Sequence, residues 1–239
     1  MSIFAIGDLH LSFDETVDKP MDVFGAGWTD HEDRIKEYWI DNVREHDTVI
    51  IAGDVSWGLK LQQAAADFQW IDSLPGKKLI FKGNHDLWWN GINKMNSMFD
   101  SITFVQNTAV YAEGWYICGS RGWVCPGDPG YTEEDEKIYR REVLRLKMSI
   151  DDAIAQEQSI NCGAGIPRIL GVLHYPPTND KLQPSEFTRI FTEAGASKVV
   201  YGHLHGEENF HKGLQGNLNG VEYILASADK TGCRLVKLV

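Results

Sequence analysis

Short apolar runs that end near a glycine or a polar residue recur along this chain. Residues 48–52 read Thr-Val-Ile-Ile-Ala and stop at Gly53, and residues 79–81 read Leu-Ile-Phe shortly before Gly83. Unbroken apolar runs of this length are typical of strands buried on both faces of a parallel sheet. The same pattern predicts further strands at residues 2–7, 169–173 and 198–201, short strands within 103–119, and terminal strands at 221–226 and 234–238.

Helical periodicity separates many of these runs. Ile35, Trp39 and Val43 recur four residues apart and predict a helix over residues 31–45. Comparable patterns predict helices at residues 59–72, 90–98 and 184–194. Residues 11–30 are punctuated by glycine, proline and aspartate without periodicity, which predicts a loop. The alternation of strands and helices favours a layered α/β fold.

The segment 121–165 departs from this alternation. Thr132 is predicted to cap a long helix that runs to about residue 157, with Asp135 as the acid of a capping box. Residues 161–165 are predicted to form a flexible return. Because the segment lacks a core of its own, we interpret it as a helical insertion within a single domain of residues 1–239. It offers a surface to a partner, and the oligomeric state is left open.

Composition limits the classes of function. The 239 residues are 43% hydrophobic and 24% charged, which suffices for a sizeable core. The formal net charge of −11 disfavours binding to nucleic acid or anionic membranes, although divalent cations still attract an anionic substrate. No Cys-x-x-Cys pair occurs among the four cysteines, which we interpret as reduced structural thiols.

The N-terminus and the apolar content predict a cytoplasmic protein. Residues 1–6 lead directly into Gly7-Asp8 without a basic segment or a long apolar stretch. A functional Asp8 would leave no room for a cleaved leader. No stretch approaches the roughly 20 apolar residues of a membrane span.

Residues with metal-binding side chains follow the apolar runs in five groups. The groups are Asp8 with His10, Asp54, Asn84 with His85, His174, and His203 with His205. The carboxyl ends of strands in an α/β sheet gather at one edge, so we expect these side chains to converge. In an extended segment, residues two apart point to the same side, which would direct both members of a pair to one centre.

The number of these residues exceeds what one tetrahedral zinc needs and fits two ions roughly 3.5–4 Å apart. Taken singly, each histidine can be a structural residue and each Gly-Asp a turn, but coincidence does not account for the whole ordered set. The three other histidines, His31, His46 and His211, are expected on the surface.

This ordered set resembles the motif series of the calcineurin-like metallophosphoesterase superfamily, in its bacterial phosphohydrolase type. The matching motifs are Gly7-Asp8-Leu9-His10, Gly53-Asp54, Gly83-Asn84-His85-Asp86, His174, and Gly202-His203-Leu204-His205. The resemblance implies a four-layer α/β/β/α sandwich with two mixed sheets and two divalent metal ions, which are manganese, iron or zinc. The ligands that it implies are Asp8, His10 and His205 for the first ion, Asn84, His174 and His203 for the second, and Asp54 as a bridge between them.

The resemblance also implies phosphoester hydrolysis. A metal-bridged hydroxide would attack the phosphorus, His85 would protonate the leaving group, and Asp86 would orient His85. Protein Ser/Thr phosphatases of the superfamily carry an arginine in the second motif. The residues after Asp54 are Val55-Ser56-Trp57-Gly58. A small phosphate ester is therefore the expected substrate rather than a phosphoprotein.

Substrate contacts have alternative interpretations. Arg121 can bind a phosphate or lie in a solvated loop, and Tyr175 is a candidate for the pocket wall. The tryptophans beside the motifs, Trp57, Trp88 and Trp89, can line a pocket or pack in the core. Residues 11–30 can cover the site as a lid.

Three functions remain open from the sequence alone. A phosphomonoesterase and a phosphodiesterase or nuclease share the same chemistry, and the acidic balance disfavours long nucleic acids. A non-catalytic metal-binding scaffold on the same fold is the third, because fold alone does not fix function.

Overall fold

The computed structural model describes residues 1–160 and 165–239 and contains alternating strands and helices. The strands are β1 (Ile3–Ile6), β2 (Thr48–Ile51), β3 (Lys77–Ile80), β4 (Ile102–Phe104), β5 (Ala109–Ala112), β6 (Trp115–Gly119), β7 (Ile169–Val172), β8 (Lys198–Tyr201), β9 (Gly216–Leu218), β10 (Val221–Leu225) and β11 (Val236–Lys237). The helices are α1 (His31–Asn42), α2 (Ala65–Asp72), α3 (Ile92–Met95), α4 (Glu133–Ile160), α5 (Glu186–Glu193), α6 (Glu207–Phe210) and α7 (Ala228–Thr231).

The strands form two mixed sheets. In the first, with the order β11-β1-β2-β3-β4, strands β1 to β4 run parallel and β11 pairs antiparallel at the edge. In the second, with the order β5-β6-β7-β8-β10-β9, the inner strands run parallel and both edge strands are antiparallel. The predicted pair of mixed sheets is confirmed.

Three apolar clusters show how the layers are stacked. Ile50 of the first sheet and Leu170 of the second belong to one buried cluster, so the sheets pack face to face. Trp39 of α1 and Phe68 of α2 join a second cluster on the outer side of the first sheet. Leu146 of α4 belongs to a third cluster on the outer side of the second sheet. The order α/β/β/α confirms the four-layer fold.

The predicted insertion supplies the longest helix of the described chain. Thr132 and Asp135 form the expected capping box, in which the Asp135 N–H donates to Thr132 Oγ1 and the Thr132 N–H to Asp135 Oδ2, at 3.2 and 3.0 Å. The helix α4 lies against the second sheet instead of standing apart, since Ser149 Oγ accepts the N–H of Gly119 at 2.9 Å. Most of the predicted return at 161–165 lies outside the described residues.

Several element boundaries differ from the predictions. The helix predicted over 59–72 begins only at Ala65, because the residues before it form turns. Two short 3-10 helices, Asp22–Phe24 and Ala26–Trp28, occupy part of the predicted loop at 11–30. Within the described ranges, no helix is long and apolar enough to cross a membrane. The described cysteines, which are Cys118, Cys125 and Cys233, are buried free thiols.

Candidate metal centre and adjoining cleft

The metal-binding residue types meet where the strands of both sheets end. Asp8 and Asp54 follow the neighbouring parallel strands β1 and β2, while His174 and His203 follow β7 and β8 of the other sheet. Asp8, Asp54 and His174 are fully or almost fully buried, with exposed fractions of 0, 1 and 0%. The predicted convergence at the carboxyl ends of the strands is therefore present.

A first group of ligand atoms comes from Asp8, His10 and His205. One ligand atom from each lies within 4.8 Å of the other two. The Nε2 atoms of His10 and His205 are 3.3 Å apart, and His205 Nε2 lies 3.5 Å from Asp8 Oδ1. Two imidazoles and a carboxylate at this spacing can hold one divalent cation.

A second group comes from Asn84, His174 and His203. Asn84 Oδ1 lies 2.7 Å from His174 Nε2 and 2.9 Å from His203 Nδ1. The two imidazole nitrogens are 3.3 Å apart. An amide oxygen and two ring nitrogens therefore point to one place beside the first group.

Asp54 lies between the two groups. Its Oδ2 atom is 3.4 Å from His174 Nε2 of the second group and 4.0 Å from His10 Nε2 of the first. Its Oδ1 atom accepts the backbone N–H of His85 at 2.8 Å, which fixes the orientation of the carboxylate. This is the position that a bridging carboxylate would occupy.

The backbone reaches this arrangement through left-handed conformations. Asp8, His10, Asp54 and His203 have φ values of 61°, 47°, 52° and 75°. The expectation that extended segments direct paired ligands to one side is therefore wrong. The left-handed residues turn the chain instead, at a local energetic cost of the kind that recurs at functional sites.

Two glycines make the close approach of the strand ends possible. A Cβ atom on Gly83 would overlap the carboxylate and backbone nitrogen of Asp54, and a Cβ atom on Gly202 would overlap the carboxylate of Asp8. Gly83 thus leaves room for Asp54, and Gly202 leaves room for Asp8.

The charge balance of the group fits divalent cations. Burial lowers the pKa of His10 to about 4 and that of His203 to about 3. Burial also opposes a charge on His174, but the carboxylate of Asp54 outweighs it and raises that pKa to about 9. The carboxylates of Asp8 and Asp54 favour positive charge on His174 and His205, whose pKa values are about 9 and about 10, whereas burial disfavours charge on His10 and His203. Bound divalent cations would supply the positive charge in place of these protons and would take the imidazoles as electron-pair donors.

His85 differs from the ligand groups in exposure. Its side chain is exposed and lines a cleft of about 950 Å³ together with His10 and His205. The indole of Trp57 also lines this cleft, with its ring centroid 4.6 Å from that of His85 and 4.7 Å from that of His10. The pocket-wall interpretation holds for Trp57, whereas Trp88 is buried in the core.

Asp86 is fully buried and holds the loops of the centre together. Its carboxylate accepts the backbone N–H groups of Asp54, Val55 and Gly83 at 3.0, 2.8 and 2.7 Å. Its hydrogen-bond partners are thus backbone amides, and the imidazole of His85 is not among those the structure records. Burial raises the pKa of Asp86 to about 7.

Tyr175 lies beside the second ligand group, and the backbone of Arg121 adjoins it, since the Arg121 carbonyl oxygen accepts the N–H of His174 at 3.0 Å. The Tyr175 ring packs on the imidazole of His203, with centroids 4.0 Å apart. The Arg121 guanidinium lies 4.5 Å from the Trp123 ring centroid and 3.5 Å from Glu142 Oε1. With only 14% of its side chain exposed, Arg121 is not the solvated surface residue of the alternative interpretation. Neither residue lines the cleft at His85.

Two further residues contact the first ligand group: Asp229, which was not predicted as a site residue, and Trp28, which lies in the segment 11–30 expected as a lid. Asp229 Oδ1 lies 3.1 Å from His205 Nδ1, and Trp28 packs edge-on against His10 and His205. Asp229 stands in no ligand motif, so nothing in its local sequence marks it. The surface expectation is wrong for His31, which is buried with Nε2 3.0 Å from the carbonyl oxygen of Leu9. It is confirmed for His46 and His211.

Comparison with known proteins gives one family match and one curated relative. The family model described as calcineurin-like phosphoesterase matches residues 1–207. The Gene 66 protein of Mycobacterium phage D29 is 29% identical over 110 residues, which cover 40% of this chain and 53% of that protein. The match thus spans about half the length of this relative.

Solved structures share the fold across almost the whole chain. TT1561 of Thermus thermophilus has a TM-score of 0.58 at 13% identity and covers 99% of this chain and 97% of its own. Phosphopantetheinyl hydrolase (PptH) of Mycobacterium tuberculosis has a TM-score of 0.54 at 14% identity, and the match covers 100% of this chain and 95% of PptH. AQ665 of Aquifex aeolicus, a protein of unknown function, has a TM-score of 0.52 at 16% identity, and the match covers 99% of this chain and 95% of AQ665. Identities this low show the fold alone.

Proposed function

Since this chain belongs to the calcineurin-like phosphoesterase family, we propose that it hydrolyses small phosphate esters with the help of two divalent metal ions. The family supports phosphoester hydrolysis, and the clustered carboxylates and imidazoles can bind metal. The observation that carries the proposal is the position of Asp54 Oδ2, 3.4 Å from His174 Nε2 and 4.0 Å from His10 Nε2. A carboxylate between two nitrogen groups suits a shared ligand of two ions.

The proposed ligands follow the two groups of side chains. They are Asp8, His10 and His205 for the first ion, Asn84, His174 and His203 for the second, and Asp54 for both. This mixture of imidazole, amide and carboxylate ligands suits manganese, iron or zinc. When bound, such ions acidify water and neutralise charge on the phosphoryl oxygens.

His85 is the proposed proton donor to the leaving group. Its backbone N–H is fixed on Asp54 Oδ1 at 2.8 Å, while its exposed imidazole lines the cleft. A proton delivered by this ring to the departing oxygen would give a neutral alcohol. Asp86 acts indirectly in this scheme, because its three backbone hydrogen bonds position the loops that carry Asp54 and His85.

Arg121 and Tyr175 are proposed as substrate contacts on the side of the second ion. Tyr175 packs on His203, and Arg121 keeps its charge beside a fully buried Glu142. A guanidinium on the residue whose carbonyl oxygen accepts the N–H of His174 would bind a phosphoryl oxygen that extends beyond the second ligand group. The Arg121→Lys variant should then raise KM more than it lowers kcat, because lysine keeps the charge and loses the forked geometry.

The net charge of −11 supports a small substrate over a long nucleic acid. PptH is a hydrolase with the same fold, but at 14% identity its substrate cannot be assigned to this chain.

The test combines metal analysis with two model substrates. The purified protein is loaded with manganese, and release of p-nitrophenol is followed from p-nitrophenyl phosphate and from bis-p-nitrophenyl phosphate. Asp54→Asn is the decisive variant, because it removes a shared charge and preserves the side-chain shape. Asp18→Asn, an exposed position in residues 11–30, is the matched control.

We expect two metal ions per chain, metal-dependent hydrolysis, and loss of both in Asp54→Asn alone. Preference for one ester separates a monoesterase from a diesterase. Two bound ions without hydrolysis of either ester would favour a metal-binding scaffold, and a wild-type protein that binds no metal would refute the proposal.

A further inference from the structure

The cleft beside the first ligand group is much larger than a phosphoryl group requires. Its volume is about 950 Å³, and His10, His85 and His205 lie on its lining. Cavities of roughly 300–1,000 Å³ hold ligands of drug size. A substrate placed with its phosphoryl group at these histidines would therefore extend its remaining part into the cleft.

The walls of this cleft are rich in aromatic side chains. Phe24, Trp28, Trp57 and Phe210 all line it. Trp28 is buried, whereas Phe24 exposes 67% of its surface. An exposed phenyl ring at the mouth of a cleft gains most from a flat apolar ligand, because contact removes both apolar surfaces from water.

Two buried residues and two polar contacts hold the wall that carries Phe24 in place. Met21 and Trp28, which flank it, are 5 and 3% exposed. The Trp57 Nε1–H points to Met21 Sδ at 3.3 Å, and Arg34 donates to the carbonyl oxygen of Gly27 at 2.9 Å. The cleft is thus preorganised, which lowers the entropic cost of binding.

The charged side chains on the cleft lining disfavour a further anionic group. Glu207 and Glu208 are exposed at the cleft. Asp229 also lines it and pairs with His205. Lys230 lies with Nζ 5.1 Å from the Phe210 ring centroid and is the lysine on this lining. A second ammonium group, that of Lys19, lies 5.7 Å from the ring centroid of Trp57. The three carboxylates still outnumber the two ammonium groups, so a second phosphate would meet like charge.

We propose that this cleft binds the leaving group of the substrate and selects an uncharged group with a flat aromatic face. The inference rests on the proposed hydrolase function and specifies its substrate class. In the reaction, the bond between phosphorus and the aromatic alcohol's oxygen breaks and water's oxygen bonds to phosphorus. One proton of the water is released, and the alcohol leaves with a proton delivered by His85.

The test measures binding and hydrolysis on the same manganese-loaded protein. Calorimetry compares naphthylmethylphosphonate, which cannot be hydrolysed, with methylphosphonate, which lacks the ring. Hydrolysis assays compare naphthyl phosphate with glycerol phosphate. The variant is Phe24→Ala, and the control is Val23→Ala, which changes the neighbouring residue, 73% exposed and outside the cleft lining.

We expect the wild type to bind the naphthyl phosphonate at least about tenfold more tightly than methylphosphonate, from burial of one aromatic ring. Phe24→Ala should remove most of this preference and lower kcat/KM for naphthyl phosphate alone, while Val23→Ala changes neither. Equal wild-type affinities for both phosphonates, or a preference that survives in Phe24→Ala, would overturn the inference. Tight naphthyl binding without hydrolysis of either ester would support the cleft and count against the proposed hydrolase.

Discussion

Asp229 Oδ1 lies 3.1 Å from His205 Nδ1, on the opposite side of the imidazole from Asp8 and His10. With a cation bound at the first ligand group, this carboxylate would hold the tautomer in which Nδ1 carries the hydrogen and Nε2 presents its electron pair. Asp229 Oδ2 also accepts the N–H of Gly206 at 2.9 Å, so the contact ties the loop after His205 to α7.

Asp229→Asn should weaken metal binding without unfolding the protein. An amide keeps the hydrogen bond from Gly206 but holds the imidazole less firmly, and changes of this kind lower metal affinity about 10–100-fold. Calorimetric titration with manganese measures the affinity of wild type and variant. The exposed Asp22→Asn is the control. An unchanged affinity in Asp229→Asn would show that His205 needs no orienting carboxylate.

His85→Ala should slow hydrolysis while leaving the metal content intact. The His85 backbone N–H that fixes Asp54 remains in this variant, and only the exposed ring is lost. Removal of a proton donor costs about 10²–10⁴-fold in rate. The loss should be larger for an alkyl ester than for p-nitrophenyl phosphate, whose leaving group needs no proton.

His46→Ala, at an exposed turn, controls for the loss of a surface histidine. Loss of bound metal from His85→Ala would place this residue among the ligands, and an equal loss of rate with both esters would argue against proton donation.

The sequence predicts the centre well where chemistry and strand ends coincide. Asp54 follows an unbroken apolar run, and both features are visible in a few adjacent letters. The contact between Asp229 and His205 has no such signal, because it depends on how α7 packs against the loop after β8. The left-handed backbone of Asp8 has no local signal either, and its N–H donates to the carbonyl oxygen of Gly53, which lies in a distant motif.

The same distinction applies to the long helix α4. Its capping box at Thr132 is a local pattern and could be predicted. Its docking could not, because an apolar helix face does not specify the surface that it covers. Hydrogen bonds from the Gly119 and Ala109 N–H groups to Ser149 and Asp152 fix it on the second sheet.

Gly83→Ala should disrupt the centre through one methyl group. The added Cβ atom would overlap the carboxylate and backbone nitrogen of Asp54, so the two strand ends must move apart. We expect loss of metal binding and a destabilisation of about 1–3 kcal/mol, as for overpacked cores.

Gly91→Ala provides the matched control for this substitution. Its added Cβ atom would have no neighbour within 4 Å, and its backbone φ of −56° suits alanine. Thermal unfolding and manganese titration should therefore leave Gly91→Ala near the wild type. Normal metal affinity in Gly83→Ala would mean that the loop relaxes without moving Asp54.

Asp67 should make the stability of the protein depend on pH. Its carboxylate is 1% exposed, accepts the N–H of Phe13 at 2.8 Å and accepts the hydroxyl of Ser56. Burial nevertheless raises its pKa from 3.8 to about 6. The folded state thus binds this proton more tightly than the unfolded state, so stability falls as pH rises from about 4 to about 6. A difference of about two between the pKa values of the folded and the unfolded state corresponds to about 3 kcal/mol in the free energy of unfolding.

Asp67→Asn should remove this dependence, because its amide carries no charge to bury. Urea unfolding between pH 4 and 7.5 measures the free energies of wild type and variant. The free energy of unfolding of the variant should rise by up to about 3 kcal/mol relative to that of the wild type as pH rises through this range. Asp47→Asn is the control. Its free energy of unfolding should differ from that of the wild type by a constant amount between pH 5 and 7. Despite burial, the N–H groups of Ser2 and Arg44 hold the pKa of Asp47 below its usual value. A pH-independent difference for Asp67→Asn would show that Asp67 ionises in the folded protein without penalty.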